Sequence, residues 1–212
     1  MTRTLKALFV LLLLATPPLA QAQGHNHTDK PLVEVKDLGS RPDPAAKVTK
    51  VGGPFTLINQ DGQTVTEKDF AGFYQLIFFG FTYCPDICPT ELQTALEAVQ
   101  ELPPEQAKKF KILFISIDPK RDTPAVLKAY LNQIGPGLTG LTGSPDQIAA
   151  VAKAYKVYYG KSAETAHEEQ DYLMDHSSFL YFMGPDGAFL KAFSAGTDTE
   201  TLLKALRTHL KP

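Results

Sequence analysis

Two cysteines, Cys84 and Cys88, are the only thiols among the 212 residues, and they lie four positions apart. Each is followed by proline in the stretch Phe81-Thr82-Tyr83-Cys84-Pro85-Asp86-Ile87-Cys88-Pro89-Thr90-Glu91. A disulfide between them would close only a short loop and add little stability, because it would remove little entropy from the unfolded chain. The pair therefore indicates chemistry, and three kinds are open: disulfide exchange, peroxide reduction and metal binding.

The N-terminal residues are typical of a targeting segment. Basic residues Arg3 and Lys6 precede an apolar run over residues 7–15, and Ala20-Gln21-Ala22 has the small-x-small form of a cleavage site. The run is shorter than the roughly twenty apolar residues of a membrane span, which favours cleavage over anchoring. We therefore predict a cleaved secretory signal over residues 1–22 and a periplasmic protein. In that oxidising compartment two neighbouring thiols tend to form a disulfide bond.

Residues 23–53 are polar and rich in proline, glycine and charge, which predicts a flexible tail before a domain over residues 54–212. After cleavage at Ala22, His25 would be the third residue of the mature chain. A free amine, two backbone amides and that imidazole can form the square-planar site that copper(II) prefers. The alternative is a solvated tail without a metal.

The overall composition is ordinary for a soluble globular protein, with 43% hydrophobic and 21% charged residues. A formal net charge of −2 and the lack of a basic stripe in the sequence give no basis for binding nucleic acid. We expect a monomer whose partners are proteins or small ions.

The cysteines lie between a predicted strand and a predicted helix. Residues 75–82 form a continuous apolar run, as in a strand buried on both faces, and apolar residues recur at helical spacing after Pro89. Proline suits the first position of a helix and disfavours helical geometry in the residue before it. We therefore predict a helix that begins at Pro89 with Cys88 as its cap. The positive end of that helix would favour the Cys88 thiolate.

The remaining segments predict an α/β sandwich with a central mixed sheet, flanking helices and an N-terminal hairpin. An Asp-Gly turn joins the strands of that hairpin. Residues 157–175 are polar and aromatic and predict an excursion from the sheet. The later predicted elements are a strand at 110–117, helices at 124–134 and 145–155, a short strand at 138–141, a hairpin of 177–183 and 188–193, and a helix at 197–210. The cysteines then follow the first buried strand at its carboxyl end, where such sheets place their sites.

A metal held by two thiolates needs a third ligand. Thiolates are soft donors that suit copper(I), and imidazole suits copper in either oxidation state. His176 directly precedes a predicted strand that could direct it at the cysteine loop, with Asp175 as a hydrogen-bonding partner. The alternative is a buried histidine, or a surface residue at a strand end. The other histidines lie in the tail, the excursion and the terminal helix: His25, His27, His167 and His209.

The cysteine stretch resembles the signature of the Sco/SenC family. Two further stretches are similar to family motifs and occur in the same order: Ser116-Ile117-Asp118-Pro119 with Asp122-Thr123-Pro124, and Asp175-His176-Ser177 leading to Gly184-Pro185-Asp186-Gly187. The resemblance runs from about residue 53 to the C-terminus and implies a thioredoxin-like fold.

The resemblance also implies a copper site made by Cys84, Cys88 and His176. Asp118 and Asp175 match family positions near that site and are expected as supporting residues. The implied role is delivery of copper, as Cu(I) or Cu(II), to the cytochrome c oxidase subunit that carries the binuclear copper site. Another copper chaperone or a thiol reductant is a further expected partner. Many family members keep an N-terminal membrane anchor, whereas the leader of this chain resembles a cleavable one.

Three functions compete. The first is a metallochaperone, not an enzyme in the strict sense, that binds copper through the reduced thiols and His176. The second is a thiol–disulfide oxidoreductase in which one cysteine attacks and the other resolves, so that His176 is dispensable. Its usual motif has two residues between the cysteines, whereas this chain has three. The third is a peroxidase, because Cys88-Pro89-Thr90-Glu91 resembles the peroxiredoxin active-site stretch and Arg121 would stabilise the reactive thiolate.

Overall fold

The computed structural model describes residues 50–210. The predicted signal peptide, most of the predicted tail and the predicted copper site at His25 lie outside these residues. Within residues 50–210, no helix combines the length and the apolar character that a bilayer-spanning segment requires. The backbone N–H of Gly52 donates to the carbonyl of Ala154 (3.0 Å), so residues just ahead of Pro54 pack on the domain.

Strands within the described residues form one large sheet and a small ribbon. They are β1 (Thr56–Asn59), β2 (Thr64–Thr66), β3 (Tyr74–Gly80), β4 (Phe110–Ser116), β5 (Leu138–Thr142), β6 (Tyr159–Lys161), β7 (Met174–His176), β8 (Phe179–Met183) and β9 (Phe189–Ser194). The sheet has seven strands in the order β2-β1-β5-β4-β3-β8-β9. Strands β3, β4 and β5 run parallel and their outer neighbours antiparallel, which makes the sheet mixed, as predicted.

Three of the described helices begin where short polar side chains accept hydrogen bonds from the first helical turn. The helices in the described part are α1 (Ile87–Gln100), α2 (Pro104–Ala107), α3 (Pro124–Ile134), α4 (Pro145–Tyr155) and α5 (Thr199–His209). Thr123, Ser144 and Asp198 cap α3, α4 and α5 in this way. Proline at the first position of α3 and α4 adds a backbone that is already restricted to helical φ.

Alternating residues of β3 place helices on both faces of the sheet. The ring of Phe79 lies 5.4 Å from that of Tyr155 in α4. Gly80, the next residue, faces Cys88 of α1. Successive residues of a strand point to opposite faces, so α1 and α4 cover opposite sides. β3 is therefore buried on both faces, as its apolar run predicted.

The predicted start of α1 is wrong by two residues. The helix begins at Ile87, and Asp86 rather than Cys88 is the flanking residue. Pro89 is the third helical residue, a position whose N–H would have no acceptor within the helix, so proline is tolerated there. Cys88 consequently lies inside the first turn.

The predicted excursion contains the two-stranded ribbon. β6 and β7 pair antiparallel, with Tyr159 opposite His176, and they are not part of the seven-stranded sheet. His176 is therefore the last residue of β7 and precedes β8 by a short connection. Residues 162–173, which join β6 to β7, are called the flap below.

Candidate metal centre

The two cysteines lie at the carboxyl end of β3 and the beginning of α1. The N–H of Cys84 donates to the carbonyl of Phe81 (3.2 Å), which closes the turn after the strand. The N–H of Cys88 donates to Sγ of Cys84 (3.4 Å). The two sulfur atoms are not bonded to each other; Cys84 is half-buried, and Cys88 has no exposed surface.

The absence of a side chain at Gly80 makes room for Cys88. A Cβ at this residue would lie 2.6 Å from Sγ of Cys88 and 2.8 Å from Cε2 of Phe114. Neither distance is possible between atoms in a well-packed core, where carbon atoms meet at about 3.5–4 Å. β3 and α1 can approach this closely only because residue 80 is glycine.

His176 reaches the cysteines from the separate ribbon. Its Nε2 lies 3.9 Å from Sγ of Cys88. The imidazole packs edge-on against Phe78 and Phe81, with ring centroids 6.1 Å away in both cases. Its Nδ1 lies 3.2 Å from the carbonyl oxygen of Ser177. The structure therefore brings Cys84, Cys88 and His176 together, although Cys88 and His176 are 88 positions apart in the chain.

Neither of the two predicted supporting carboxylates, Asp118 and Asp175, forms a hydrogen bond to His176 or to a cysteine. Asp175 is exposed, and Nδ1 of His176 faces the carbonyl of Ser177 rather than this carboxylate. Neighbouring strand residues point to opposite faces, which explains why the predicted Asp175–His176 hydrogen bond does not form. Asp118 is buried and accepts hydrogen bonds from Arg121 Nε and the hydroxyl of Tyr172 (2.8 Å). It fixes the loop that follows β4.

Hydrogen bonding gives the two thiols opposite acidities. The Cys88 side chain donates to Cys84 and, with His176, lowers the pKa of Cys84 to about 4 against the opposing effect of burial. The same interaction, together with burial, raises the pKa of Cys88. The prediction that the helix end favours a Cys88 thiolate is wrong, because the sulfur that accepts the N–H of the first helical turn belongs to Cys84. The lowered pKa of Cys84 and the raised pKa of Cys88 favour a negative charge on Cys84 and a proton on Cys88.

A buried carboxylate, Asp122, fixes the start of the cysteine loop. It accepts hydrogen bonds from the N–H of Thr82 (3.1 Å), the hydroxyl of Thr82 (2.6 Å) and the hydroxyl of Ser116 (2.6 Å). Burial raises the pKa of Asp122, and these hydrogen bonds oppose that effect. Thr82 lies two residues before Cys84, so Asp122 ties the loop to the end of β4. The motif Asp122-Thr123-Pro124 contained this residue, but nothing in its spacing indicated the contact.

Arg121 lies among aromatic rings beside the cysteine loop. Its guanidinium carbon is 3.6 Å from the ring centre of Tyr172 and 4.5 Å from that of Tyr83. Nε pairs with Asp118, and Nη1 donates to the carbonyl of Gln170 (2.8 Å). The guanidinium thus pairs with Asp118 and the flap rather than with a cysteine thiolate. The peroxidase hypothesis, which needed this arginine at the thiolate, loses that support.

A groove of about 490 Å³ opens between the cysteine loop and the ribbon. Cys84 and His176 both line it, so an ion or a partner's sulfur atom can reach them from solvent. Within residues 50–210, no three His, Cys, Asp or Glu side chains already surround one point at the distances of metal ligands. The 3.9 Å between Cys88 Sγ and His176 Nε2 nevertheless fits two donors of one ion, which lie roughly 3.5–4 Å apart when metal–ligand distances are 2.0–2.3 Å.

A protein-family comparison identifies the chain. The model of the SCO1/SenC family matches residues 43–211. The chain belongs to the SCO1/SenC family. Among solved structures, this SCO1/SenC protein is similar to Bradyrhizobium japonicum ScoI with copper bound, with a TM-score of 0.68 and 42% identity over 76% of this chain and 99% of that one. It is also similar to BsSco, a structure in which a disulfide switch was identified, with a TM-score of 0.59 and 28% identity over 78% and 98% of the two chains. These likenesses confirm the predicted thioredoxin-like fold.

Two curated relatives are eukaryotic proteins. The SCO1/SenC chain is 39% identical over 183 residues to Protein SCO1 homolog 1, mitochondrial, of Arabidopsis thaliana, covering 84% of this chain and 54% of that one. It is 40% identical over 163 residues to Protein SCO1 homolog, mitochondrial, of Homo sapiens, covering 76% and 54%. The chain thus spans about half the length of these relatives. Both are mitochondrial proteins, which contradicts the predicted periplasmic location; a basic and apolar N-terminus is compatible with more than one targeting route.

Proposed function

We propose that this chain is a copper-binding assembly protein that holds copper through Cys84, Cys88 and His176. It passes the copper to the binuclear copper site of cytochrome c oxidase. The observation that carries the proposal is the 3.9 Å contact between His176 Nε2 and Cys88 Sγ, because the two side chains come from separate elements. The copper-bound structure of Bradyrhizobium japonicum ScoI supports the cargo. The description of BsSco as a member of the Sco family of cytochrome c oxidase assembly proteins supports the acceptor.

The two cysteines are unequally exposed, and this difference determines the side from which an acceptor can take the copper. Cys84 is a half-buried thiolate that lines the groove, whereas Cys88 is sealed beneath β3. A ligand of the acceptor can therefore approach copper on the Cys84 side. Exchange begins with replacement of the Cys84 sulfur, while Cys88 and His176 still hold the ion. Two sulfur donors and one imidazole suit copper(I).

Copper(I) titration of the reduced protein tests the proposal. The wild type is expected to bind one ion per chain, with sulfur and nitrogen ligation in X-ray absorption spectra. His176→Ala should lose tight binding and keep the fold. His167→Ala is the matched control, because His167 is an exposed flap residue that contacts Glu168 (3.2 Å) and lies outside the groove lining. Undiminished affinity in His176→Ala would refute the three-ligand site.

A second function, thiol–disulfide oxidoreduction, is favoured by the difference between the pKa values of the two thiols. The Cys84 thiolate would attack a sulfur of the partner's disulfide and release one partner thiolate. The Cys88 thiol would then lose its proton and attack Cys84, which releases the second partner thiol and leaves a Cys84–Cys88 disulfide. Two electrons pass to the partner in this sequence.

The His176→Ala variant separates the two functions. Reduction of a peptide disulfide by the reduced variant, at the wild-type rate, would show that the thiols act without the imidazole. If that variant also supported oxidase assembly, thiol reduction rather than copper delivery would be the function. Loss of assembly with intact disulfide reduction would assign the function to copper.

A further inference from the structure

We propose that Arg121 is a positioning residue that locks the β6–β7 ribbon, and with it His176, against the cysteine loop. The inference rests on the proposed function only in taking His176 as a metal ligand. The contacts of Arg121 that hold the ribbon are called the lock below. They exist in the protein without copper and can be measured in the absence of the metal.

The ribbon forms no strand pairing with the main sheet, so side-chain contacts must hold it in place. β6 and β7 pair only with each other, and an isolated two-stranded ribbon is marginally stable. At the end that carries His176, the N–H of Ser177 donates to the carbonyl of Tyr158 (2.9 Å). At the other end, the flap closes on itself through the N–H of Ser162 and the carbonyl of Leu173 (2.8 Å). Neither bond attaches the ribbon to the cysteine loop.

In addition to the packing of His176 on Phe81, Arg121 attaches the ribbon by contacting three segments at once. Its guanidinium carbon lies over the rings of Tyr83 in the cysteine loop and Tyr172 in the flap, at 4.5 Å and 3.6 Å from their centres. Nη1 donates to the flap carbonyl of Gln170, and Nε pairs with Asp118 in its own loop. The Nζ of Lys161, at the end of β6, lies 3.7 Å from the centre of the same Tyr172 ring.

Stability alone does not account for this arrangement. Nη2 of Arg121 is buried and has no hydrogen-bond partner among the described residues. A buried ion pair with an unsatisfied N–H is weak evidence for stabilisation, because the desolvation of the charge offsets its attraction. A planar guanidinium can contact two rings, a carboxylate and a carbonyl together, whereas the point charge of a lysine cannot. Arg121 therefore serves to position the flap relative to the cysteine loop more than to stabilise the fold.

The two rings that Arg121 joins lie next to the two halves of the metal site. Tyr83 directly precedes Cys84, and Tyr172 lies two residues before Met174, where β7 begins. A fixed separation between these rings limits how far His176 can move from the sulfur atoms. Without the lock, the same three donors would remain, but His176 would sample a wider range of positions.

Hydrogen exchange of the copper-free, reduced protein tests the lock in Arg121→Lys, with Lys120→Gln as the control in the same loop. We expect amide exchange in residues 159–176 to accelerate about tenfold in Arg121→Lys, as for the loss of cation–π contacts in a desolvated site. Exchange by local opening in β3, β4 and α1 should stay near the wild-type values, and the melting temperature should fall by only about 2–6 °C, because a tenfold change corresponds to about 1.4 kcal/mol. Wild-type protection of the ribbon, or a larger acceleration in the sheet than in the ribbon, would overturn the proposal.

Two substitutions of Tyr172 keep the test decisive if Arg121→Lys folds poorly. Tyr172→Phe retains the ring and loses only the hydroxyl bond to Asp118, so its ribbon should exchange more slowly than that of Tyr172→Leu. Tyr172→Leu removes the ring and should accelerate exchange about as much as Arg121→Lys. Equal behaviour of the two variants would refute the stacking.

Copper binding measures what loss of the lock does to the metal site. We expect copper(I) to dissociate from Arg121→Lys about tenfold faster than from the wild type. We expect Cu(II) spectra to show a mixture of species rather than one. A wild type that binds no copper would refute the proposed function, while the exchange data would still decide whether the lock exists. A faster-exchanging ribbon with an unchanged copper dissociation rate would show that the lock does not position His176.

Discussion

Cys84 and Cys88 differ far more in their surroundings than their neighbouring positions indicate. Cys84 lines the groove and accepts hydrogen bonds, whereas Cys88 fills the space that Gly80 leaves empty. Sequence motifs identified both residues and His176. They could not show which thiol ionises, because that depends on the helix beginning at Ile87 and on which sulfur meets its first N–H groups.

The reduced protein should react with iodoacetamide at Cys84 first. The pKa of Cys84 is lowered to about 4, so its thiolate persists above that pH and is lost only as the pH falls through it. The alkylation rate, followed by peptide mass spectrometry, should be nearly constant from pH 6 to 8. In guanidinium chloride both cysteines should instead show the rise near pH 8.5 of ordinary thiols. A rate in the native protein that climbs steadily to pH 9 would contradict this assignment.

Gly80→Ala should destabilise the protein by about 1–3 kcal/mol, because the new methyl group would overlap Cys88 Sγ and Phe114. The measurement is urea denaturation, together with copper(I) affinity, which should also fall as Cys88 is displaced. Gly53→Ala is the matched control, since a Cβ there would meet Ala154 Cβ at an ordinary 3.5 Å. Similar losses of stability in both variants would show that the space at residue 80 is not special.

Elements that are bounded by proline or glycine in the sequence were predicted closely, whereas the ribbon was not predicted. Helix α3 matches its predicted range because proline opens it and glycine follows it. The ribbon strands are three residues long, and the flap between them is polar, so no hydrophobic period marks them. Their pairing depends on contacts with distant residues such as Arg121, which no local pattern contains.

Glu91 connects α1 to the loop between β9 and α5, where its Oε1 accepts the N–H of Gly196 (2.6 Å). Burial raises the pKa of Glu91, and the Gly196 hydrogen bond opposes that effect. A raised pKa in the folded state favours the protonated form, so this contribution to stability is present below the ordinary carboxyl pKa and is lost as pH rises through the raised value.

Glu91→Gln should therefore weaken the pH dependence of the unfolding free energy above the ordinary carboxyl pKa, because glutamine keeps the acceptor and has no charge to bury. Glu91→Ala should cost about 1 kcal/mol at pH 7, since the hydrogen bond to Gly196 is lost. Urea denaturation across the pH range measures both. Glu101→Gln, an exposed residue at the end of α1, is the control. An unchanged pH profile in Glu91→Gln would show that Glu91 is not the group responsible.

At the scale of the whole domain, the site combines a stable sheet with an appended ribbon. The alternation of strands and helices predicted the sheet and placed the cysteines at the carboxyl end of β3, where the structure has them. The direction from which His176 approaches could not be predicted, because it is the last residue of β7 and so belongs to the ribbon rather than to the main sheet. Two ligands of the proposed site thus come from the core and one from an attachment to it.

Copper(I) should stabilise the whole domain by mass action, because the unfolded chain does not hold the three donors together. Free copper at 100 times the dissociation constant contributes about 2.7 kcal/mol. That energy raises the melting temperature of a domain of this size by roughly 5–10 °C. Differential scanning calorimetry with buffered copper(I) measures the shift. The double variant Cys84→Ser/Cys88→Ser should show none, and an equal shift in that variant would place the copper elsewhere.

The complete burial of Cys88 against Gly80 has a consequence for oxidation of the cysteines. A peroxide can reach Cys84 through the groove but cannot reach Cys88, which has no exposed surface. Oxidation therefore starts with a sulfenic acid on Cys84, and the adjacent Cys88 can displace its hydroxyl group as water and form the disulfide. That disulfide is reversible, whereas further oxidation to sulfinic or sulfonic acid is not. The buried thiol thus protects the exposed one from permanent inactivation.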